Sequence, residues 1–425
     1  MNIIFQTLGC KVNQYETETM REALQNQGHT CDKNLPIDAV VINSCSVTAE
    51  SDRKTRQLVR RMRREYPNAI ITLTGCMVQA FPEEAKQLTE ADIVIGNKDV
   101  QRVIDAIKSY DNNRVFCVEE HKKGDLYNTI GLSSFNERTR AFMKIEDGCD
   151  RFCTYCIIPF ARGRVRSRAI DDIKQEAVRL AKNGFSEIVL VGINLTSYGK
   201  GEAFDICDAI DAVCSVDEIK RVRLGSLEPD HITDEMLSRF KAQPKFCPQF
   251  HLSLQSGCDE TLKRMNRHYD TAFYEDLVNR IRATFDNAAI TTDIMVGFAG
   301  ENEEEFQKNL QFAKKIRFAR AHIFAYSRRS GTIAAGVKSQ VNNAEKQRRA
   351  HLMAEATKET EIEFLNTQLG NIYPVLFETQ ENNKIEGYTP NYTRVIVNSP
   401  KALTGEIHDV LIKSVKDDYC IGELI

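Results

Sequence analysis

The sequence has no excess charge of either sign: 57 Lys and Arg stand against 60 Asp and Glu, a net charge of −3 over 425 residues. A histone-like or polybasic membrane binder is excluded on that ground, although a local basic patch is not. No uncharged apolar run approaches the roughly 18–20 residues that span a bilayer, so no membrane partner is expected. The opening MNIIFQTLGCK has no cationic stretch ahead of an apolar one, so no secretory leader is expected. No repeat, heptad run or low-complexity tract stands out. With 42% hydrophobic and 28% charged residues, the expectation is a soluble, cytoplasmic chain of two or three domains.

Against these absences stand 13 cysteines. An odd number in a reducing compartment argues against a disulfide framework. It points to soft-metal ligation by some thiols and simple burial of the rest.

Residues 1–118 alternate short apolar runs (2–8, 39–44, 69–74, 92–95 and 115–118) with helical patterns at 13–27, 49–65, 81–89 and 100–110. This alternation predicts a doubly wound parallel sheet with helices on both faces. Residues 119–137 are polar and weakly periodic, a linker. Strands are then expected at 141–145, 187–191, 222–224, 250–254, 291–296 and 321–326, a partial (βα)6 barrel within 138–365. Its first long helix reads DDIKQEAVRLAKNG, with Asp171 as N-cap and Gly184 as stop, and a charged helix at 343–365 closes it. Residues 366–425 read as short strands (373–377, 384–387, 393–397, 406–413 and 420–424), a small all-β barrel.

The segment EDGCDRFCTYCIIP places Cys149, Cys153 and Cys156 at C-x3-C-x2-C directly after a predicted strand. Such a loop wraps three thiolates round one corner of a four-iron–four-sulfur (4Fe-4S) cluster and leaves one iron open. Structural zinc would need a fourth ligand, and no suitable Cys or His follows closely; three buried thiols by chance is the other competing reading. The loop resembles that of the radical S-adenosylmethionine (SAM) superfamily. The resemblance covers 141–332 and implies SAM bound at the open iron and cleaved reductively to methionine and a 5′-deoxyadenosyl radical. It further implies SAM contacts at strand ends, from Gly192 and Asn194, Ser253 and Gln255, and Asp293, with Tyr155 near the adenine. Each polar residue among them could equally cap a helix or satisfy a loop.

Cys10, Cys45 and Cys76 are distant in sequence but equivalent in place: LGC, NSC and TGC each end a predicted strand before a helix. In a parallel sheet those ends adjoin, so the three thiols can converge on one site. Buried sheet cysteines are the competing reading. Here the resemblance widens. QTLGCKVNQYETE, INSCSVTAESDRK, TGCMVQ, HLSLQSGCDETLKRMNRHYD and DIMVGFAGENEEEF together resemble the methylthiotransferase family over essentially the whole chain, including a C-terminal barrel similar to the TRAM domain. That family carries two 4Fe-4S clusters and uses two SAM molecules per product. Carried over, Cys10, Cys45 and Cys76 hold the auxiliary cluster, and Cys149, Cys153 and Cys156 the radical SAM cluster. Ala299, Ser330 and Ile333 stand where the family usually has proline.

The segment from Gly9 to Glu16 resembles the branch acting on N6-threonylcarbamoyladenosine beside the anticodon of tRNA, with C2–H becoming C2–SCH3. The alternatives are isopentenyladenosine in tRNA, a ribosomal-protein aspartate or, from another class, a non-enzymatic iron–sulfur RNA-binding sensor. An electron donor is required but not identified. Residues 53–64 carry seven Lys or Arg and no acid, so Arg60, Arg61, Arg63 and Arg64 are candidates for tRNA phosphate, against a plain solvated face. Arg162, Arg164, Arg166 and Arg168 alternate, and would share one face of an extended segment, against pairing with nearby acids. The last 60 residues hold five basic and eight acidic side chains. RNA contact there, from Tyr388, Asn391, Tyr392 and Arg394, rests on the resemblance, and barrel-turn packing competes with it. The remaining cysteines (31, 117, 207, 214, 247, 258 and 420) read as core.

Overall fold

The computed structural model describes residues 1–135 and 138–425; Asn136 and Glu137, at the end of the expected linker, lie outside the described residues. Strands β1 (Ile3–Thr7), β2 (Ala39–Ser44), β3 (Ile70–Gly75), β4 (Ile93–Ile95) and β5 (Val115–Cys117) form a parallel sheet. Alternation of side chains gives it two apolar faces. Ile3, Val41 and Ile93 meet α1 (Lys11–Gln25) and α5 (Val100–Lys108). Val40, Ile42 and Leu73 meet α2 (Ala49–Glu65) and the short α3 (Cys76–Ala80) and α4 (Pro82–Lys86). Helices therefore cover both faces, but the strand order is sequential, β1-β2-β3-β4-β5, without a reversal. Because β1, β2 and β3 are neighbours, with Thr7 opposite Asn43 and Asn43 opposite Thr74, their three carboxyl-end loops lie side by side.

The stretch after β5 has no regular element among its described residues, yet it is not loose. Leu132 and Phe135 are buried in the central core, and Tyr127 donates to the Lys144 carbonyl at 2.7 Å. From there, strand β6 (Arg140–Lys144) pairs with Glu187–Val191, and that with Arg221–Leu224. Beyond Gly225 the chain resumes at Ser226–Leu227, which pairs onward to Gln249–Leu252, Ala289–Val296 and Arg320–Ala325. All these pairings are parallel, and the result is the partial barrel expected. One local expectation fails: the helix Ile170–Lys182 is preceded by Ala169, with no side-chain cap, and Asp171 sits inside its first turn beside Asp172. There the two carboxylates act on the helix dipole instead of on a single amide. Asn343–Asn366 closes this part, capped by Asn342. The C-terminal strands form a closed barrel around Val375, Phe377, Ile385, Val395 and Val410. No helix among the described residues is long and apolar enough to cross a membrane.

The two barrels are joined through one buried carboxylate. Glu187 is fully buried and meets Arg223 at 2.8 Å, Arg221 at 3.4 Å and Arg140 at 3.9 Å. Those guanidiniums in turn donate across the joint: Arg223 to the Pro390 carbonyl at 2.8 Å, Arg221 to the Tyr388 carbonyl at 3.0 Å. Burial works against the charge on Glu187, but Arg223 and Arg140 outweigh it and hold the carboxyl below its usual range. Its contribution is therefore complete at neutral pH and is lost as pH falls through and below about 4. Glu187→Ala leaves the buried Arg221 and Arg223 without a counter-charge, while Arg140 keeps Glu378, with an expected cost of about 3–5 kcal/mol. Chemical unfolding at pH 7, with limited proteolysis of residues 366–425, checks it; an unchanged midpoint contradicts it.

Candidate active site

The first cysteine triad assembles where those three loops adjoin. Cys10 is the N-cap of α1, Cys45 follows β2, and Cys76 opens α3. Two glycines allow the approach. Gly9 has φ +121°, and a Cβ there would lie 3.0 Å from Cys45 Cβ; Gly75 has φ +100°, and a Cβ would fall 2.4 Å from the Ser44 carbonyl. Both conformations favour glycine. Cys10 and Cys45 each act electrostatically on Cys76, and burial pushes the Cys76 thiol up to about 12. A buried guanidinium counters this, since Arg162 Nε donates to Cys76 Sγ at 3.2 Å.

The second triad lies in the loop after β6. Cys149 N–H donates to the Gly163 carbonyl at 3.0 Å and Cys156 N–H to the Cys153 carbonyl at 2.9 Å. The turn between them places Phe152 at φ +51°, and Asn266 Nδ2 holds the Arg151 and Phe152 carbonyls at 3.3 Å. Burial pushes Cys149 and Cys156 up to about 12, with mutual repulsion among the thiols adding to it. Again a buried guanidinium reaches sulfur: Arg267 donates to Cys153 Sγ at 3.3 Å and is itself anchored by Glu228.

No three His, Cys, Asp or Glu side chains among the described residues are grouped tightly enough to share one metal ion. A polynuclear cluster takes its thiolates on separate irons, further apart. In each triad the thiols lie within electrostatic reach of one another and a guanidinium N–H meets one sulfur, which suits an anionic cluster.

Of the residues expected to contact SAM, Gly192, Asn194, Ser253 and Gln255 follow the carboxyl ends of their strands, whereas Asp293 lies within the strand Ala289–Val296. Tyr155 packs edge-on to Phe298 at 6.2 Å. Gln255 takes φ +66°, with its N–H on the Asp293 carbonyl at 2.9 Å and its carbonyl receiving Met295 N–H at 2.8 Å. The Ser253 carbonyl receives Arg267 at 2.9 Å, and the Asp293 carboxylate lies 3.4 Å from His251. Asn194 donates through its backbone to Glu146 at 2.7 Å and through its side chain to Ser197 at 2.7 Å. A Cβ at Gly192 would come within 2.6 Å of the same Glu146 carboxylate. Glu146 was missed in the sequence, as were Arg267 and Glu228, because nothing local marks them. Glu146 is fully buried, with Oε1 unpartnered, and burial pushes its carboxyl up to about 8. Beside Asn194 and Gly192 this unpartnered oxygen suits an ammonium such as the SAM amino group, whose charge would draw the carboxyl back to its ionised form.

The basic residues divide differently from expectation. Arg162 and Arg168 are buried, which corrects their expected place at a phosphate-facing surface. Arg162 is bidentate to Glu16 and Arg168 pairs with Glu176 at 2.8 Å. The alternation fails because Ile158–Arg162 is helical and Gly163 breaks it. Arg166 is nearly buried against Asp147 at 3.1 Å, and only Arg164 is well exposed. On α2, Arg60 pairs with Glu90, Arg61 with Glu65 and Arg63 with Asp92. Lys54, Gln57, Arg61 and Arg64 line a cleft of about 580 Å³ with Gln6 and Leu8. Tyr388 and Tyr392 stack on each other at 4.7 Å, with Arg140 over both rings. Asn391 is buried on Gln368 at 2.9 Å, and Arg394 pairs with Glu386 at 2.6 Å. Tyr388, Asn391 and Tyr392 thus form a domain joint, while Arg394 pairs within the C-terminal barrel.

Because the folded Glu146 keeps its proton up to about pH 8 while an unfolded one ionises near 4.3, the apo chain loses stability as pH rises through that window. The slope is at most about 1.4 kcal/mol per pH unit. Glu146→Gln keeps the acceptor for Asn194 without ionising, so its thermal midpoint between pH 5 and 8 is expected to fall less than that of the wild type; parallel profiles contradict the assignment.

Two family descriptions match the chain: the Radical SAM superfamily over residues 143–313 and Uncharacterized protein family UPF0004 over residues 2–96. The threonylcarbamoyladenosine tRNA methylthiotransferase MtaB of Bacillus subtilis is 36% identical, over 99% of this chain and 95% of that protein. A tRNA-2-methylthio-N(6)-dimethylallyladenosine synthase of Clostridium botulinum is 32% identical, over 99% and 96%. Among solved structures, the radical SAM methyltransferase TsrM from Kitasatospora setae shares the fold, with a TM-score of 0.58 at 13% identity over 79% of this chain and 77% of that one. Identity of this order from one end of the chain to the other leaves no part of the architecture outside the comparison, and the chain belongs to the radical SAM tRNA methylthiotransferase family.

Proposed function

We propose that the protein methylthiolates C2 of N6-threonylcarbamoyladenosine beside the anticodon of tRNA, in the cytoplasm. The observation that carries this reading is the joining of two cysteine triads by one side chain. Arg162 follows the Cys149–Cys156 loop by six positions and donates to Cys76 of the other triad. A single-cluster sensor has no use for such an arrangement. Relatives named for threonylcarbamoyladenosine, at 33–36% identity, favour this branch over those named for dimethylallyladenosine at 32%.

In this reading residues 1–118 hold the auxiliary cluster through Cys10, Cys45 and Cys76, and residues 119–137 tie that unit to the barrel. Residues 138–365 hold the other cluster through Cys149, Cys153 and Cys156, and residues 366–425 help to seat tRNA. When bound, the two clusters and SAM supply radical C–H activation and the methylthio group, given an external one-electron donor. The chain's own part is to orient and to exclude water. Asn194, Gly192 and Glu146 receive the amino end of SAM; Gln255, Ser253 and Asp293 line its carboxylate and ribose, and Tyr155 its adenine. The cleft beside Lys54, Arg61 and Arg64 offers cations to phosphate.

Cys153→Ala is expected to abolish anaerobic SAM cleavage to 5′-deoxyadenosine. Cys45→Ala should retain cleavage and yield no methylthio product. Methylthiolation surviving in Cys45→Ala would overturn the two-cluster assignment.

A further inference from the structure

Lys11 directly follows the ligand candidate Cys10 and opens α1. Its side chain is solvent-exposed, and its ammonium stands 5.9 Å from the centre of the Phe142 ring on the barrel wall. The charged or ionisable groups acting on it are Tyr392, Arg140, Arg223 and the Cys10 thiol; no carboxylate among the described residues is its partner. The two arginines are already matched to Glu187. His322 lies within electrostatic reach as well. It shares the open face of the strand Arg320–Ala325 with Phe324, while Ala321 and Ile323 turn to the core. His251, 6.1 Å from His322 between ring centres, is matched to Asp293. Lys11 is thus an exposed cation without a counter-charge, one residue from the first triad.

A ligand suited to that ammonium carries an anion. Of the two N6-substituted adenosines in the names of the relatives, the threonylcarbamoyl form has a carboxylate and the dimethylallyl form is an uncharged hydrocarbon. We infer that Lys11 pairs with the carboxylate of the threonylcarbamoyl group and so selects the modified nucleoside. The inference rests on the substrate proposed above and gives Lys11 a role in specificity, not in bond making. An uncharged substituent would leave the ammonium desolvated without compensation, which is how one buried polar group rejects a near-isostere.

The test uses the full chain with both clusters loaded. Lys11→Gln and Lys11→Arg are prepared, with iron content and the EPR signals of both clusters confirming an intact site. Binding is measured to anticodon stem-loops carrying threonylcarbamoyladenosine or plain adenosine at the same position. The wild type should prefer the modified RNA by about 10-fold or more, the scale of one charge-assisted hydrogen bond. Lys11→Gln should lose that preference and raise KM for the modified RNA more than it lowers kcat, while Lys11→Arg keeps most of both. Equal weakening of both RNAs would assign Lys11 to a phosphate and overturn the inference, as would a preference undiminished in Lys11→Gln. A wild type that binds the modified RNA with preference yet adds no methylthio group would instead sink the proposed reaction while leaving Lys11 as a reader of the carboxylate.

Discussion

A guanidinium taken wholly out of water must find its counter-charge and its hydrogen bonds inside the protein, and Arg162 meets that demand by drawing on both halves of the site. Arg162 is completely buried. It is bidentate to Glu16 on α1, reaches Asn13 at 3.3 Å and Asp147 at 3.6 Å, and spends its remaining N–H on Cys76 Sγ. Lys144 meets Glu16 and Asp147 at 2.7 Å each, so β6, α1 and the end of the second cysteine loop share one closed network. Burial works against the charge on Glu16, and Arg162 and Lys144 outweigh it, holding the carboxyl below its usual range. Any relative movement of the two units would strand several buried charges at once, and the two triads are fixed against each other for that reason.

The same device recurs at the other joints. Glu187 and its arginines fasten the C-terminal barrel. Arg329, nearly buried, reaches from the barrel to Asp52 at 2.7 Å and Ser46 at 2.8 Å, one residue beyond Cys45, and lies over Phe81 at 5.0 Å. Its loop also receives support from the second cysteine loop, where the Thr154 carbonyl accepts Ala334 N–H at 2.9 Å. Ile333 replaces a proline usual in the family, yet this loop is held by both cysteine loops. Apolar packing builds each unit, and buried ion pairs fix how the units meet.

Legibility in the sequence divides along the same line. Strand ends, helix starts and the six cysteines were readable because local periodicity and turn residues determine where a βα unit places its loop. The partners of those cysteines were not. Arg162 and Glu16 are 146 positions apart, and no local pattern announces a pair that distant. The run ARGRVRSR read as an extended cationic face, whereas Gly163, at φ +70°, ends a helical turn and sends Arg162 inward. Of the seven cations of residues 53–64, Arg56, Arg60 and Arg63 read as open because their acids, Glu84, Glu90 and Asp92, come from elements further along. Tyr388 and Tyr392 read as RNA-facing because an aromatic turn gives no sign that Arg140 will cover it.

The central claim is that both triads serve one reaction on one modified nucleoside. Nucleoside mass spectrometry after anaerobic incubation with SAM, a reductant and two tRNAs tests it most directly, one tRNA carrying threonylcarbamoyladenosine and the other isopentenyladenosine. A methylthio gain confined to the first is the predicted result. A gain confined to the second, or SAM cleavage with no gain on either, would contradict it.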